Sequence, residues 1–175
     1  MAKIVINSLI SLSNLLLKPL AMHRSQSLKK LSKLAFMVTL FAMGSVQAEP
    51  YYPWRMENFA ITAPLGGLKG NAQRGKQIAI DSRKGSCLTC HVMPIPEEPY
   101  HGDVGPSLNG VATRLTEGQL RLRIVDEKMI IPESIMPVYY RHPKHFTLVA
   151  DEYECKTFLT AQEVEDVVAY LLTLK

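Results

Sequence analysis

Cys87, Cys90 and His91 stand within five consecutive positions, in the stretch KGSCLTCHVMPIP from Lys84 to Pro96. The chain holds only three cysteines and five histidines, so this is a concentration of sulfur and nitrogen donors. Three chemistries use such a spacing. A redox dithiol needs a thioredoxin-like strand–helix–strand frame, and the flanking sequence has no such pattern. A structural zinc site needs about four ligands, and no second Cys-x-x-Cys is present to complete one. The third chemistry is covalent attachment of a c-type haem. One turn of backbone lets two thiols reach two vinyl groups, while the adjacent imidazole faces the iron. One motif predicts one haem c, with Cys87 and Cys90 as the covalent links and His91 as an iron ligand.

A c-type electron carrier closes the other face of the iron with a methionine, which raises the potential, or with a second histidine, which lowers it. Met93 follows His91 too closely to reach the opposite face. Met56 lies in an aromatic, proline-rich segment, and Met129 falls at helical spacing near Leu122, Ile124 and Val125, where core packing is the plain reading. Met136 stands in PESIMPVYYR, 45 positions beyond His91. Pro137 stops a helix behind it, and the intervening chain is long enough to wrap from one face to the other. Met136 is therefore the expected sixth ligand. His101, His142 and His145 are its competitors, the last two flanking Pro143 in a polar loop.

The elements that must hold these residues are helical. Residues 49–70 are rich in proline and aromatics without clean periodicity and read as an extended arm, with Tyr51, Tyr52 and Trp54 covering the core. Asn71 is the expected N-cap of a helix running to Ser82, in which Gly75 weakens the helix unless another helix crosses closely there. Thr116 with Gln119, and Thr160 with Glu163, form capping-box patterns that open two further helices. In the second, Leu120, Ile124 and Met129 are expected to face inward, and Arg121, Arg123, Glu127 and Lys128 to form a solvated face. In the third, Val164, Val167, Val168, Leu171 and Leu172 make a broad apolar stripe. Strand signal is scant, which predicts an all-α domain around one haem.

Charge divides the chain. Of its 20 Lys and Arg, six lie before residue 49, and all 16 Asp and Glu lie from Glu49 onward. The part from Glu49 thus carries a net charge of −2, which gives no electrostatic support to nucleic-acid binding. Lys29, Lys30 and Lys33 precede a charge-free run from Leu34 to Ala48 ending in small residues, the pattern of a signal peptide spanning 1–48. Residues 1–21 add a second apolar segment that one signal does not need, so the expectation is either a true start at Met22, which is favoured, or an unusually long n-region. The domain organisation expected is a leader (1–48), an arm (49–70) and a haem domain (71–175), exported to the periplasm; an uncleaved leader would make it membrane-bound instead.

The succession CLTCH, GPSLNGV, IMP and AYLLTL resembles the class I cytochromes c. That resemblance implies an all-α, class I cytochrome c-like fold wrapped round the haem. It implies a crossing of the first and last helices at Gly75 and Tyr170, and a carbonyl near Pro106 accepting the Nδ1–H of His91. The longer stretches GDVGPSLNGVATRLTEGQLRLRIVDEKMIIPESIMPVYYR and FLTAQEVEDVVAYLLTL are similar to the SoxX family, over roughly residues 70–175. Membership would imply the electron-transfer haem subunit of a periplasmic thiosulfate-oxidising complex, an L-cysteine S-thiosulfotransferase. Its partners would be a SoxA-like c-type cytochrome, a SoxYZ-like carrier protein and a small soluble cytochrome c acceptor. The sulfur chemistry would belong to the SoxA-like chain, so no catalytic residue is expected here. A free-standing monohaem electron carrier and a haem-based ligand sensor are the competing functions. Cys155, in the acidic stretch ADEYECKTFL, has no second cysteine left to pair with. It is either a free thiol or an inter-subunit disulfide to the SoxA-like partner; the neighbouring carboxylates disfavour a nucleophilic role.

Overall fold

The computed structural model describes residues 50–145, 150 and 156–175; the leader and Cys155 lie outside them. Helix α1 (Ala72–Ile80) starts where the Asn71 side chain accepts the Arg74 N–H at 2.9 Å. It stops at Asp81, short of the expected Ser82, because the Asp81 carboxylate takes the Arg83 N–H at 2.9 Å and draws the backbone out of the helix. Helix α2 (Glu117–Asp126) opens on a reciprocal box: Thr116 Oγ1 accepts from Gln119 N, and Gln119 Oε1 accepts from Thr116 N. Helix α3 (Ala161–Leu171) opens on the same device between Thr160 and Glu163. Each box satisfies two backbone donors that the first turn leaves orphaned. Among the described residues one short 3-10 turn precedes α1, four more lie between the helices, and no strand is present.

Helices α1 and α3 cross at very close range. Gly75 and Ala79, buried one turn apart, form a small-residue stripe on α1. A Cβ on Gly75 would stand 1.9 Å from the Asp166 carbonyl oxygen and 2.9 Å from the Tyr170 Cβ, so only glycine lets the two backbones approach this closely. Asp166 fastens the same joint, accepting from Asn71 N at 2.7 Å, from Arg74 Nε at 2.7 Å and from Gln162 Nε2 at 2.9 Å. The apolar stripe of α3 (Val164, Val167, Val168 and Leu171) is buried in one core with Leu120, Leu122 and Val125 of α2.

The solvated face expected for α2 is corrected. Arg121 is wholly buried, forked onto Glu165 of α3 through Nε at 2.8 Å and Nη2 at 2.9 Å. Its Nη1 donates to the Ile61 carbonyl at 2.7 Å, and Glu165 also accepts from Leu65 N. One guanidinium thus fastens α2, α3 and the arm. Glu127 is buried too, while Met129, expected inside, is exposed. The reason is a change of winding: α2 ends at Asp126, and Glu127–Met129 coil as a 3-10 turn at three residues per turn, which carries Met129 off the helical stripe.

The arm covers the core as expected. Tyr51 stacks on Tyr140 at 5.1 Å, Tyr52 N donates to the Tyr140 hydroxyl at 2.7 Å, and Trp54 Nε1 donates to the Tyr140 carbonyl. Tyr139 alongside donates its hydroxyl hydrogen to the Gly85 carbonyl at 2.9 Å, tying the segment after Met136 to the base of the Cys-x-x-Cys-His turn.

Candidate functional site

Ser86 adopts a left-handed backbone (φ 41°) and throws the chain into a tight turn, Cys87–Thr89. The Cys87 carbonyl then accepts from both Cys90 N at 3.2 Å and His91 N at 2.9 Å. That bifurcated bond gathers both thiols and the imidazole onto one turn. Burial pushes the Cys87 thiol up to about 11, so it stays a protonated thiol at neutral pH.

The loop after the turn is stapled back along it. Gly102 N bonds the Leu88 carbonyl, Gly105 N the Cys90 carbonyl and Leu108 N the Val92 carbonyl, at 2.7, 2.7 and 2.9 Å. The staples bring the Pro106 carbonyl to 2.7 Å from His91 Nδ1. A carbonyl oxygen only accepts, so Nδ1 carries the hydrogen and the neutral ring keeps its lone pair on Nε2. That is the tautomer an iron ligand needs. Glycine is required in this loop, since a Cβ on Gly105 would stand 2.4 Å from His91 Cε1.

Met136 lies beyond α2 in the loop before Tyr139, half-buried against the core, with its backbone N–H on Ser134 Oγ. The other methionines of the described residues lie elsewhere: Met93 is buried in the core, Met56 packs against it from the arm, and Met129 is at the surface. His142 meets Tyr51 edge-on at 4.7 Å and His145 at 6.1 Å, away at the arm. His101 serves the attachment loop instead, its Nδ1 accepting the Met93 N–H at 3.2 Å.

Two residues of interest escape the sequence. Arg123 and Glu127 pair at 2.5 Å, yet Arg123 Nε and Glu127 Oε2 are buried without a hydrogen-bond partner. Burial raises the Glu127 carboxyl above its usual range, against the opposing pull of Arg123 and His91. Their four-residue spacing reads as an ordinary surface ion pair. The only contrary signal is the apolar residue on each side of Arg123 in LRLRIV.

A haem sets four demands on such a site: two thiols, an imidazole with a free Nε2, a ligand for the second face, and donors for two propionate carboxylates. The first two are met by the turn, and Met136 offers a thioether. The buried, unpartnered donors are Arg123 Nε and His101 Nε2, the latter bearing the hydrogen because Nδ1 is an acceptor. The exposed apolar side chains Val92, Val104, Ile131 and Ile135 fall near His91, Gly105 and Met136 in the sequence, suited to covering an apolar ring. The residues present fit the group.

Residues 72–175 match the protein family described as Cytochrome c. A chain in the crystal structure of SoxXA from P. pantotrophus is 32% identical, with a TM-score of 0.65 over 73% of this chain and 99% of that one. The X-ray structure of a single-substitution variant of ferric cytochrome c-550 from Paracoccus versutus is similar at 20% identity and a TM-score of 0.34, covering 61% of this chain and 97% of that one. No curated protein sequence matches the chain.

Proposed function

We infer from one premise, that this chain belongs to the cytochrome c family as a SoxX-like class I cytochrome carrying covalent haem c, that it is the electron-transfer subunit of a periplasmic complex that joins thiosulfate to a cysteine of a carrier protein. The observation that carries this reading is the likeness to a SoxXA chain over 99% of that chain's length.

In this reading Cys87 and Cys90 would hold the haem covalently through their sulfurs, as thioethers. His91, oriented by the Pro106 carbonyl, would hold the iron through Nε2, and Met136 would offer its sulfur as the second ligand. When bound, the group would supply one-electron redox chemistry. The hydrogen bond from His91 Nδ1 to the Pro106 carbonyl would keep the imidazole in place through each change of redox state. Joining two sulfur atoms releases two electrons, so this chain either turns over twice or shares them with the haem of a SoxA-like partner. It then passes them to a small soluble cytochrome c, and a SoxYZ-like protein carries the sulfur. No residue of this chain is assigned to the sulfur chemistry.

The test is to isolate the haem-bearing chain from a host with working cytochrome assembly and identify what co-purifies. A second c-type cytochrome, and reduction of this haem by thiosulfate only when that cytochrome and a carrier protein with a free cysteine are both present, is the expected result. A lone monomer that accepts electrons without such a partner would identify a free-standing carrier and overturn the assignment.

A further inference from the structure

Phe59 breaks two habits at once. It is an aromatic side chain left 64% exposed, and its backbone is left-handed (φ 57°) directly after a left-handed Asn58 (φ 50°). The turn is closed at both ends, Glu57 N bonding the Ala60 carbonyl at 2.8 Å and Ala60 N the Glu57 carbonyl at 3.0 Å. Two-residue turns of this hand favour asparagine then glycine. A phenylalanine in the second place carries strain that glycine would relieve, and most of its ring surface stays exposed.

The turn is also rigidly mounted. Ala60 and Ile61 directly behind it are buried, Ile61 N bonds the Gly118 carbonyl at 2.9 Å, and the Ile61 carbonyl is held by the buried Arg121. The arm's other aromatics, Tyr51, Tyr52 and Trp54, are engaged with Tyr140; Phe59 alone of them points away from the core. Exposed polar residues Arg55, Glu57 and Asn58 precede it in the sequence. A fixed, exposed aromatic is the kind of residue that anchors interfaces, and strain held where it stabilises little inside the chain points to a role outside it.

We propose that the Glu57–Ala60 turn is a docking anchor whose Phe59 ring enters an apolar pocket on the second, SoxA-like cytochrome subunit. The proposal rests on the functional reading above. What selects this occupant is the extent of the two likenesses. The family match begins at residue 72, past the arm. The SoxXA likeness takes in 73% of the chain, more than residues 72–175 make up, so it extends into the segment before them. The arm belongs to what this chain shares with a cytochrome that works in a complex.

The experiment uses the haem-loaded chain in three forms, wild type, Phe59→Ala and Phe59→Gly, titrated with the second cytochrome by calorimetry. Both variants should bind at least tenfold more weakly, with unchanged haem spectra, and Phe59→Gly alone should melt at a higher temperature than wild type. Wild-type affinity in both variants overturns the anchor while leaving the functional reading intact. A wild-type chain that binds no second cytochrome overturns both. A wild-type chain that self-associates through Phe59, and binds the second cytochrome equally well without it, overturns the anchor in favour of a second copy.

Discussion

His91 donates its Nδ1 hydrogen to the Pro106 carbonyl across 2.7 Å, and Gly105 is the residue that lets that carbonyl come so near. The bond fixes the tautomer and makes the ring a stronger electron donor toward a metal on Nε2. Gly105→Ala forces a methyl group against the ring and breaks it. The expected result is a reduction potential raised by roughly 60 mV, the equivalent of about tenfold in a one-electron equilibrium, measured by redox titration. An unchanged potential would mean the bond does not tune the iron.

Met136→Ala removes the thioether assigned to the second face. The far-red methionine–iron charge-transfer band should vanish, and the potential should fall by on the order of 100 mV, inside the ~0.8 V range over which axial ligands act. Survival of the band identifies another methionine as the ligand. His101, His142 or His145 becomes the candidate if the wild-type spectrum lacks the band altogether.

Arg121→Met leaves Glu165 a buried, unpaired carboxylate and frees the Ile61 carbonyl. The cost should be about 3–5 kcal/mol, whereas the paired change Arg121→Met with Glu165→Leu should recover most of it. Urea denaturation of the haem-loaded proteins measures both. A single substitution as mild as the double one would show that the fork contributes little.

Glu127 is a carboxyl whose folded-state affinity for protons is raised, burial being the main cause. The folded chain therefore holds a proton that the unfolded chain has already lost, and stability drains away as pH rises from about 4.5 through the folded-state value. Glu127→Gln should remove that slope, gaining on wild type as pH rises, with the two alike at low pH. Thermal melts across about pH 4 to 8 test this; parallel curves would contradict it.

How much of this is readable in the sequence depends on distance along the chain. The three helix starts are legible because Asn71, Thr116–Gln119 and Thr160–Glu163 act within three residues. The attachment turn is legible for the same reason, and Gly75 announces a close crossing by being costly anywhere else. Arg121 is misleading because its partner lies 44 positions away, on α3. Charge alone puts it on the surface, and the pairing that buries it has no local mark. Met129 misleads because the helical stripe extends on paper past the point where the winding tightens. The anchoring of the arm on Tyr140 spans 86 to 88 positions and leaves no periodic trace.

The Arg74–Asp166 clasp joins residues 92 positions apart, and the attachment turn lies between them in the sequence. A chain that emerges from its N-terminal side exposes Cys87, Cys90 and His91 before α3 has appeared at all. The clasp, and with it the joint of α1 and α3, therefore closes only after the attachment turn is already out.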